Sequence, residues 1–328
     1  MAETITTDIL IVGAGPVGLF GAYCAGFRGM QTVLVDALPQ CGGQIAALYP
    51  EKHIHDIAGI PGARGRDVVA ALKDQADTYS PTYLLGRQAV SIEHLPDARR
   101  PQVTLSDGTV IDAGAVILTA GIGTFTPRTL PAGEEFLGRG LSYFVPAPEE
   151  YSDRDVLVVG GGDSAIDWVL ALEPIARSVT LVHRRGTFRA HAASIREVHE
   201  STAEIVINAQ VEALFGDDVL REAHVRVDGE QEARVLKVDA VVAALGFISN
   251  LGPLEAWDLE LDRRTIVVDT RMGTTVERVY AAGDVTSYPG KVKLMSVGFG
   301  EVATAVNNAA VSLDPALSLF PGHSTDSA

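Results

Sequence analysis

Cysteine is nearly absent from this chain: Cys24 and Cys41 are the only two in 328 residues. Two thiols 17 positions apart make neither a disulfide scaffold, a redox C-x-x-C nor a zinc knuckle, so no metal site is expected. Basic residues are also in the minority. Lys and Arg number 26 against 42 Asp and Glu, a net charge of −16, and that field repels nucleic acid and anionic membranes; neither is an expected partner. No apolar run approaches the roughly 18 residues of a spanning helix, and the opening stretch carries Glu3 and Asp8 but no basic residue, unlike a secretory signal. The protein is therefore expected in the cytoplasm. At 47% hydrophobic and 21% charged the composition is globular rather than disordered, and the length suits two domains.

Glycine, by contrast, is plentiful, at 33 residues, and without a three-residue period it belongs at tight turns. The apolar run Asp8 to Val12 leads into Gly13-Ala-Gly15-Pro-Val-Gly18, a helix-like stretch follows over Leu19 to Gly29, and a second apolar run, Thr32 to Val35, ends at Asp36, 23 residues after Gly13. This strand, glycine turn, helix, strand and acid sequence is the dinucleotide-binding fingerprint. Gly13 permits the turn, Gly15 lets the backbone approach a pyrophosphate, and Gly18 lets the helix pack on the strand. Asp36 would accept hydrogen bonds from a ribose with a free 2′-hydroxyl.

The pattern then repeats. Asp155 to Val159 leads into Gly160-Gly-Gly162-Asp-Ser-Ala165, a helix over Ile166 to Leu172 and a strand Ser178 to Val182 that ends at His183, again 23 residues on. Here His183-Arg184-Arg185, with Arg189 four residues later, replaces the acid. Such donors suit a 2′-phosphate, which arginine grips through its forked guanidinium. Opposite charge at matched positions implies two different dinucleotides: FAD at the first fingerprint, NADPH at the second.

Around these units, Ala115 to Ala120 and Ala240 to Ala244 read as buried strands, each closing a nucleotide-binding sheet, and Arg87 to Ile111 and Val225 to Val238 as small β-meanders. The fold class that follows is α/β, with two Rossmann-like dinucleotide-binding domains of three-layer ββα type. The NADPH domain is inserted into a discontinuous FAD domain, giving residues 1–118 and 249–328 to FAD and 119–248 to NADPH, with crossings near Leu118 to Pro127 and Gly246 to Gly252.

Later motifs carry a resemblance. Cys41-Gly42-Gly43-Gln44 with Tyr49-Pro-Glu-Lys52, Ala120-Gly-Ile-Gly123-Thr-Phe125-Thr-Pro127, Leu245-Gly-Phe247-Ile-Ser-Asn250, Val279-Tyr-Ala-Ala-Gly283-Asp284, Gly298-Phe-Gly-Glu301 and the tail His323-Ser-Thr325 stand in order with both fingerprints. Over essentially the whole chain the sequence resembles the thioredoxin-reductase-like ferredoxin/flavodoxin–NADP reductases of bacteria. The resemblance implies that Asp36, Gln44, Tyr49, Phe125, Asp284 and Thr325 contact FAD, with Val90 through its backbone. It further implies that Tyr49 stacks on one face of the flavin, that His323 lies over the other, and that the tail reaches across a homodimer.

The scarce cysteines discriminate among relatives. Thioredoxin reductases carry a C-x-x-C before the second fingerprint; here the stretch reads Leu141-Ser-Tyr-Phe144-Val-Pro-Ala147, without a thiol. Cys41 stands alone in its glycine loop. Without a dithiol relay, electrons must leave the flavin directly, and since FAD takes a hydride from NADPH and can release electrons singly, ferredoxin or flavodoxin is the expected partner. The competing readings are a thioredoxin-type disulfide reductase, a broad diaphorase and a non-catalytic flavoprotein sensor. Docking an acidic carrier on a chain at −16 calls for a local basic patch, for which Lys52, Arg64, Arg66, Lys291 and Lys293 are candidates.

Overall fold

The computed structural model describes residues 3–94, 100–145, 147–323 and 325, with the side chains of 124–126 and 249 outside the described set. The chain divides into two compact units, Met1–Thr124 with Ser249–Ala328, and Phe125–Ile248. The segments that pass between them, Thr124–Pro127 and Phe247–Asn250, pair with each other as a two-stranded ribbon. The first division falls after Thr124 rather than after residue 118. Residues 119–121 stay with the first unit because Thr119 donates from its backbone to the Val12 carbonyl and from its hydroxyl to the Gly13 carbonyl, at 2.8 and 2.7 Å.

In the first unit the strand Thr4–Val12 lies between Thr32–Asp36 and Val110–Leu118, all parallel, with Thr82–Leu85 beyond Thr32–Asp36. Ile9, Leu10 and Ile11 have no exposed surface. Burial on both faces is why the strand reads as a continuous apolar run instead of alternating. The strand Val110–Leu118 is the seam of the unit. Its opening residues pair antiparallel with Pro101–Leu105, which continues to Ala89–His94 as the meander, while its closing residues pair parallel with Val279–Ala281. The expected closing strand is thus interior, and Val279–Ala281 stands outside it. One nine-residue strand serves two layers because its length exceeds what either partner covers.

The second unit shows the same layering through a period of two. Its five-stranded sheet runs Leu141–Ser142, Ala240–Ala244, Asp155–Gly160, Ser178–His183, Glu204–Ile207, all parallel. Leu157 and Val159 face a core shared with Val211, Leu214, Ala223 and Val225 of the meander, whereas Val156 and Val158 face Ile166, Val169, Leu172 and Val198 of the helices Asp163–Leu172 and Ala192–Glu200. Successive side chains pointing to opposite faces divide one strand between two cores. The meander has three strands, Ala209–Gly216, Leu220–Val227 and Arg234–Lys237, and so starts well before Val225. Register shifts between Val211 and Ala213 and between Phe215 and Gly216 break the alternation that would have announced its first strand. No helix among the described residues is long and apolar enough to cross a membrane.

Candidate functional site

The first glycine turn is defined by what a side chain would strike. Gly13 has φ +114°, and a Cβ there would lie 2.5 Å from the Thr119 carbonyl oxygen; a Cβ on Gly18 would lie 1.8 Å from the Gly13 carbonyl oxygen. At Gly15 the space is open up to the Gly43 Cα, at 3.9 Å, so two backbone segments meet there without side chains. The helix Pro16–Phe27 starts from this turn with proline in its first turn, where its missing N–H costs nothing and the free amides of the end point outward.

Asp36 closes the same turn. Its carboxylate accepts from the Ala14 amide at 2.7 Å and from the Leu38 amide at 2.8 Å. Burial raises its pKa above 3.8, and the two amide bonds oppose that shift. Each oxygen keeps a second acceptor position, so the group can still receive ribose hydroxyls. Gly86 and Arg87 donate to the Leu38 and Asp36 carbonyls, which brings the start of the Ala89–His94 strand beside this acid. Val90 is the extra residue of the bulge there, between Ala89 and Ser91, and its carbonyl accepts from the Trp257 indole at 3.2 Å.

Gln44 lies in the first turn of the helix Gly43–Leu48 and Tyr49 caps its end. The Gln44 amide nitrogen would lie 3.0 Å from a Cβ on Gly121, so it borders the turn after Val110–Leu118. Tyr49 is half-buried, and its phenol is pushed up by burial first, then by the charges of Asp284 and Asp56. It stays protonated at neutral pH, as a flat neutral ring within the field of Asp284. Asp284 follows Gly283, which has φ +84°; Gly283 and Gly298 both abut Val17 of the first helix, with a Cβ on Gly298 only 2.6 Å from that side chain. The start of the last helix, Met295–Leu313, therefore meets the start of the first beside Asp284. Asp36 thus borders the turn at Gly13, Gln44 the turn at Gly121, and Asp284 follows Gly283 beside the start of the first helix, with Tyr49 within its field.

Other expected residues stand elsewhere. The side chain of Phe125 lies outside the described residues, on the crossing strand. His323 and Thr325 are exposed, and the His323 ring is 5.0 Å from that of Phe320. Arg28, just past the C-terminal end of the first helix, holds this segment by donating to the Ser318 carbonyl at 2.8 Å and the Leu319 carbonyl at 3.1 Å. The cysteines are both free thiols, Cys41 buried and Cys24 half-buried. Burial pushes Cys24 up to about 12 and also raises Cys41, so neither supplies a thiolate at neutral pH.

At the second turn Gly162 is open, its nearest neighbour being the Arg189 carbonyl oxygen at 3.9 Å from a built Cβ, and Ala165 is fully buried behind Gly160. Arg184, Arg185 and Arg189 are exposed, and among the described residues none of their guanidinium groups is paired. The loop that carries them is tied to the glycine turn: the Arg189 amide donates to the Gly161 carbonyl at 2.7 Å, and the His191 amide to Asp163 at 2.9 Å. His183 has a different part from its neighbours. Its ring lies flat against Gly161, where a Cβ would come within 2.2 Å of it, and stacks on Phe188 at 5.3 Å. Its Nε2 is 3.2 Å from the Thr187 carbonyl. Burial, then the neighbouring arginines, lower its pKa below 6.5. The structure thus makes it a neutral spacer under the loop, and leaves the cationic role to the three arginines.

The basic docking candidates separate as well. Lys291 is buried, its side chain 8% exposed and paired with Glu301 at 2.5 Å, so it drops out of any surface patch. Arg64 and Arg66 share Glu51, while Lys52 and Lys293 are exposed. Two structural roles are not visible in the sequence. Thr119 latches the first turn and Glu301 holds Gly283, and only the register of Val12 beside Leu118 and the fold-back of the last helix reveal them.

Comparison with known proteins agrees with this arrangement. The pattern of the pyridine nucleotide-disulphide oxidoreductase family matches residues 7–309. The chain is 57% identical over 317 residues to the ferredoxin–NADP reductase of Frankia alni, covering 97% of this chain and 98% of that one. It is 56% identical over 319 residues to that of Salinispora arenicola, with coverage of 97% and 98%. Among solved structures, T. acidophilum thioredoxin reductase superposes with a TM-score of 0.78 at 25% identity, over 95% of this chain and 99% of the other. The chain therefore belongs to the pyridine nucleotide-disulphide oxidoreductase family and, within it, to the branch of the ferredoxin–NADP reductases.

Proposed function

We infer that the protein is an FAD-dependent ferredoxin–NADP reductase, moving electrons between NADPH and a one-electron carrier. The observation that carries this reading is the pair of glycine turns with opposite chemistry at matched strand ends, Asp36 in one and three unpaired arginines in the other. The residues present fit both dinucleotides. Gly15 and Gly162 leave room for a phosphate to approach the backbone, Asp36 would accept from an unmodified ribose, and Gln44 and Asp284 stand at the neighbouring turns of the same unit. Bound there, FAD would supply the exchange between two-electron and one-electron chemistry. The chain's own part is to bind and orient. Tyr49 offers a neutral ring, Arg184, Arg185 and Arg189 receive a 2′-phosphate, and His183 holds their loop on the second glycine turn. No thiol takes part, since both cysteines are protonated and far apart in sequence; this weighs against the disulfide-reductase reading.

Residues 1–124 with 249–328 form the FAD domain in this reading and 125–248 the NADPH domain, and either ferredoxin or flavodoxin is the acceptor. Two cysteines without a disulfide fit a reducing, cytoplasmic compartment. The working form is a homodimer. Phe20, Tyr23 and Phe27 stand along one half-exposed face of the first helix, with Phe299 packed on Phe20 at 5.3 Å and Tyr79 on Tyr23 at 5.7 Å, and a run of aromatics of this kind favours burial against another surface. The tail supports the same reading. Arg28 pins Leu319 beyond the end of a 12-residue helix, about 18 Å from its own glycine turn, while the four residues to His323 span at most about 14 Å.

The deciding experiment is NADPH-dependent cytochrome reduction by the yellow protein with and without added ferredoxin or flavodoxin. Stimulation by either carrier, retained in the Cys24→Ala/Cys41→Ala variant, is expected; activity that needs a disulfide substrate and dies with the cysteines would overturn the assignment. Light scattering of Tyr23→Glu/Phe27→Glu checks the dimer, which should fall to a monomer.

A further inference from the structure

Beside the FAD-side acid lies a buried ion pair that the electron-transfer scheme does not use. Glu301, on the last helix, is 5% exposed, and its carboxylate accepts from three donors: the Gly283 amide at 2.7 Å, the Tyr288 hydroxyl at 2.5 Å and Lys291 Nζ at 2.5 Å. Taking both charges out of water is costly, and replacing such a pair with apolar side chains is often neutral or stabilising. Stability alone is therefore a poor reason for it. What the carboxylate does locally is complete the hydrogen bonding of one turn. The Gly283 carbonyl already accepts from the Thr286 amide and hydroxyl, at 3.1 and 2.8 Å, and the preceding Ala282 amide donates to Leu118 at 2.9 Å. With its N–H taken by Glu301, Gly283 has no remaining freedom, and it holds a left-handed φ of +84° against Val17. Asp284 is the next residue.

We propose that Glu301 is a positioning residue for the cofactor site: its carboxylate, paired with Lys291 and oriented by Tyr288, locks the Gly283 amide so that Asp284 stands pre-set toward FAD. Tyr288 remains a donor throughout, because its bond to Glu301, with burial, pushes its phenol up to about 12. Lys291 serves this carboxylate and not an external partner. The proposal rests on the reading that the first unit binds FAD, and its test separates the two.

Two double variants of the full-length protein remove both charges but differ in one atom's function. Glu301→Gln/Lys291→Met keeps an amide oxygen to accept from Gly283; Glu301→Met/Lys291→Met keeps the length and loses the acceptor. FAD-free samples are titrated with FAD by flavin fluorescence, and the visible circular dichroism of the bound flavin is recorded. The glutamine variant should bind within about threefold of the wild type with the same spectrum. The methionine variant should bind at least tenfold more weakly, with an altered spectrum, a loss of about 1.4 kcal/mol or more. The FAD-free methionine variant should have a lower thermal midpoint than the glutamine variant, because one buried amide is left without an acceptor, so the altered spectrum of bound flavin, which a loss of stability alone does not produce, carries the test. Equal FAD affinity and spectrum in the two variants, whether both normal or both impaired, would overturn the positioning role. Wild-type protein that takes up no FAD overturns the cofactor reading, and the proposal with it. Should the methionine variant not fold, hydrogen exchange of the FAD-free wild type decides: the Gly283 amide is expected to be protected like the neighbouring core, and exchange at the free-peptide rate refutes the lock.

Discussion

The two glycine turns begin from nearly the same sequence and are held by different means. In the first, Gly18 sits so close to Gly13 that a Cβ would penetrate the Gly13 carbonyl, and Asp36 stitches the turn from below through Ala14 and Leu38. In the second, Ala165 occupies the equivalent place with its methyl buried, and the ring of His183 fills the space over Gly161. One turn is closed by backbone contact and a carboxylate, the other by a side chain and an aromatic stack. A small residue is thus obligatory at one site and merely small at the other, and the motif spacing alone does not distinguish them.

Substitution at the third motif position should break the symmetry most sharply. Gly18→Ala forces the turn apart and is expected to cost several kcal/mol, above the usual overpacking cost of about 1–3 kcal/mol, with FAD absent from the purified protein. Ala165→Gly should cost only about 1 kcal/mol of helix propensity and leave NADPH binding in place; thermal unfolding with cofactor titration compares them. Next in size, Asp36→Ala strips an acceptor from two amides, a loss of about 1–3 kcal/mol, and should weaken FAD binding while the second site still binds NADPH, as isothermal titration would record.

Arg184→Ala/Arg185→Ala addresses the other end of the comparison. Losing two charge-assisted contacts of about 1.5–3 kcal/mol each should raise KM for NADPH by tenfold or more and leave KM for NADH nearly unchanged, so equal shifts in steady-state assays would remove the 2′-phosphate assignment. The smallest effect concerns pH. Burial displaces the two matched groups toward neutrality, Asp36 upward and His183 downward. A raised carboxyl contributes stability in full below its ordinary 3.8 that is lost as pH rises through the folded value. A lowered imidazole contributes stability in full above 6.5 that is lost as pH falls through its folded value. Between pH 7.5 and 5.5, therefore, His183→Gln should lose less of its thermal midpoint than the wild type does, with the difference confined to this acid window.

Much of this is legible in the sequence alone. Each strand, glycine turn and helix announced itself because parallel strands buried on both faces must be apolar throughout and because a pyrophosphate-binding turn requires glycine, two demands that act within about 25 consecutive residues. The acid and the arginines at the strand ends were visible for the same reason. The shared role of Val110–Leu118 was not, since which edge a strand pairs along is a matter of partners more than 150 residues away, and the first strand of the second meander was hidden by its bulges.

Local chemistry, then, is what the sequence by itself determined: two glycine-turn units, the opposite charge at their matched strand ends, and the lack of a dithiol. Tertiary structure decided everything that depends on what folds back. It turned His183 from a cation into a neutral spacer by laying it on Gly161, took Lys291 off the surface by burying it against Glu301, and pinned the tail through Arg28. In each case the physical reason is the same. Charge and reach are set by desolvation and by neighbours distant in the chain, and neither is written in the spacing of a motif.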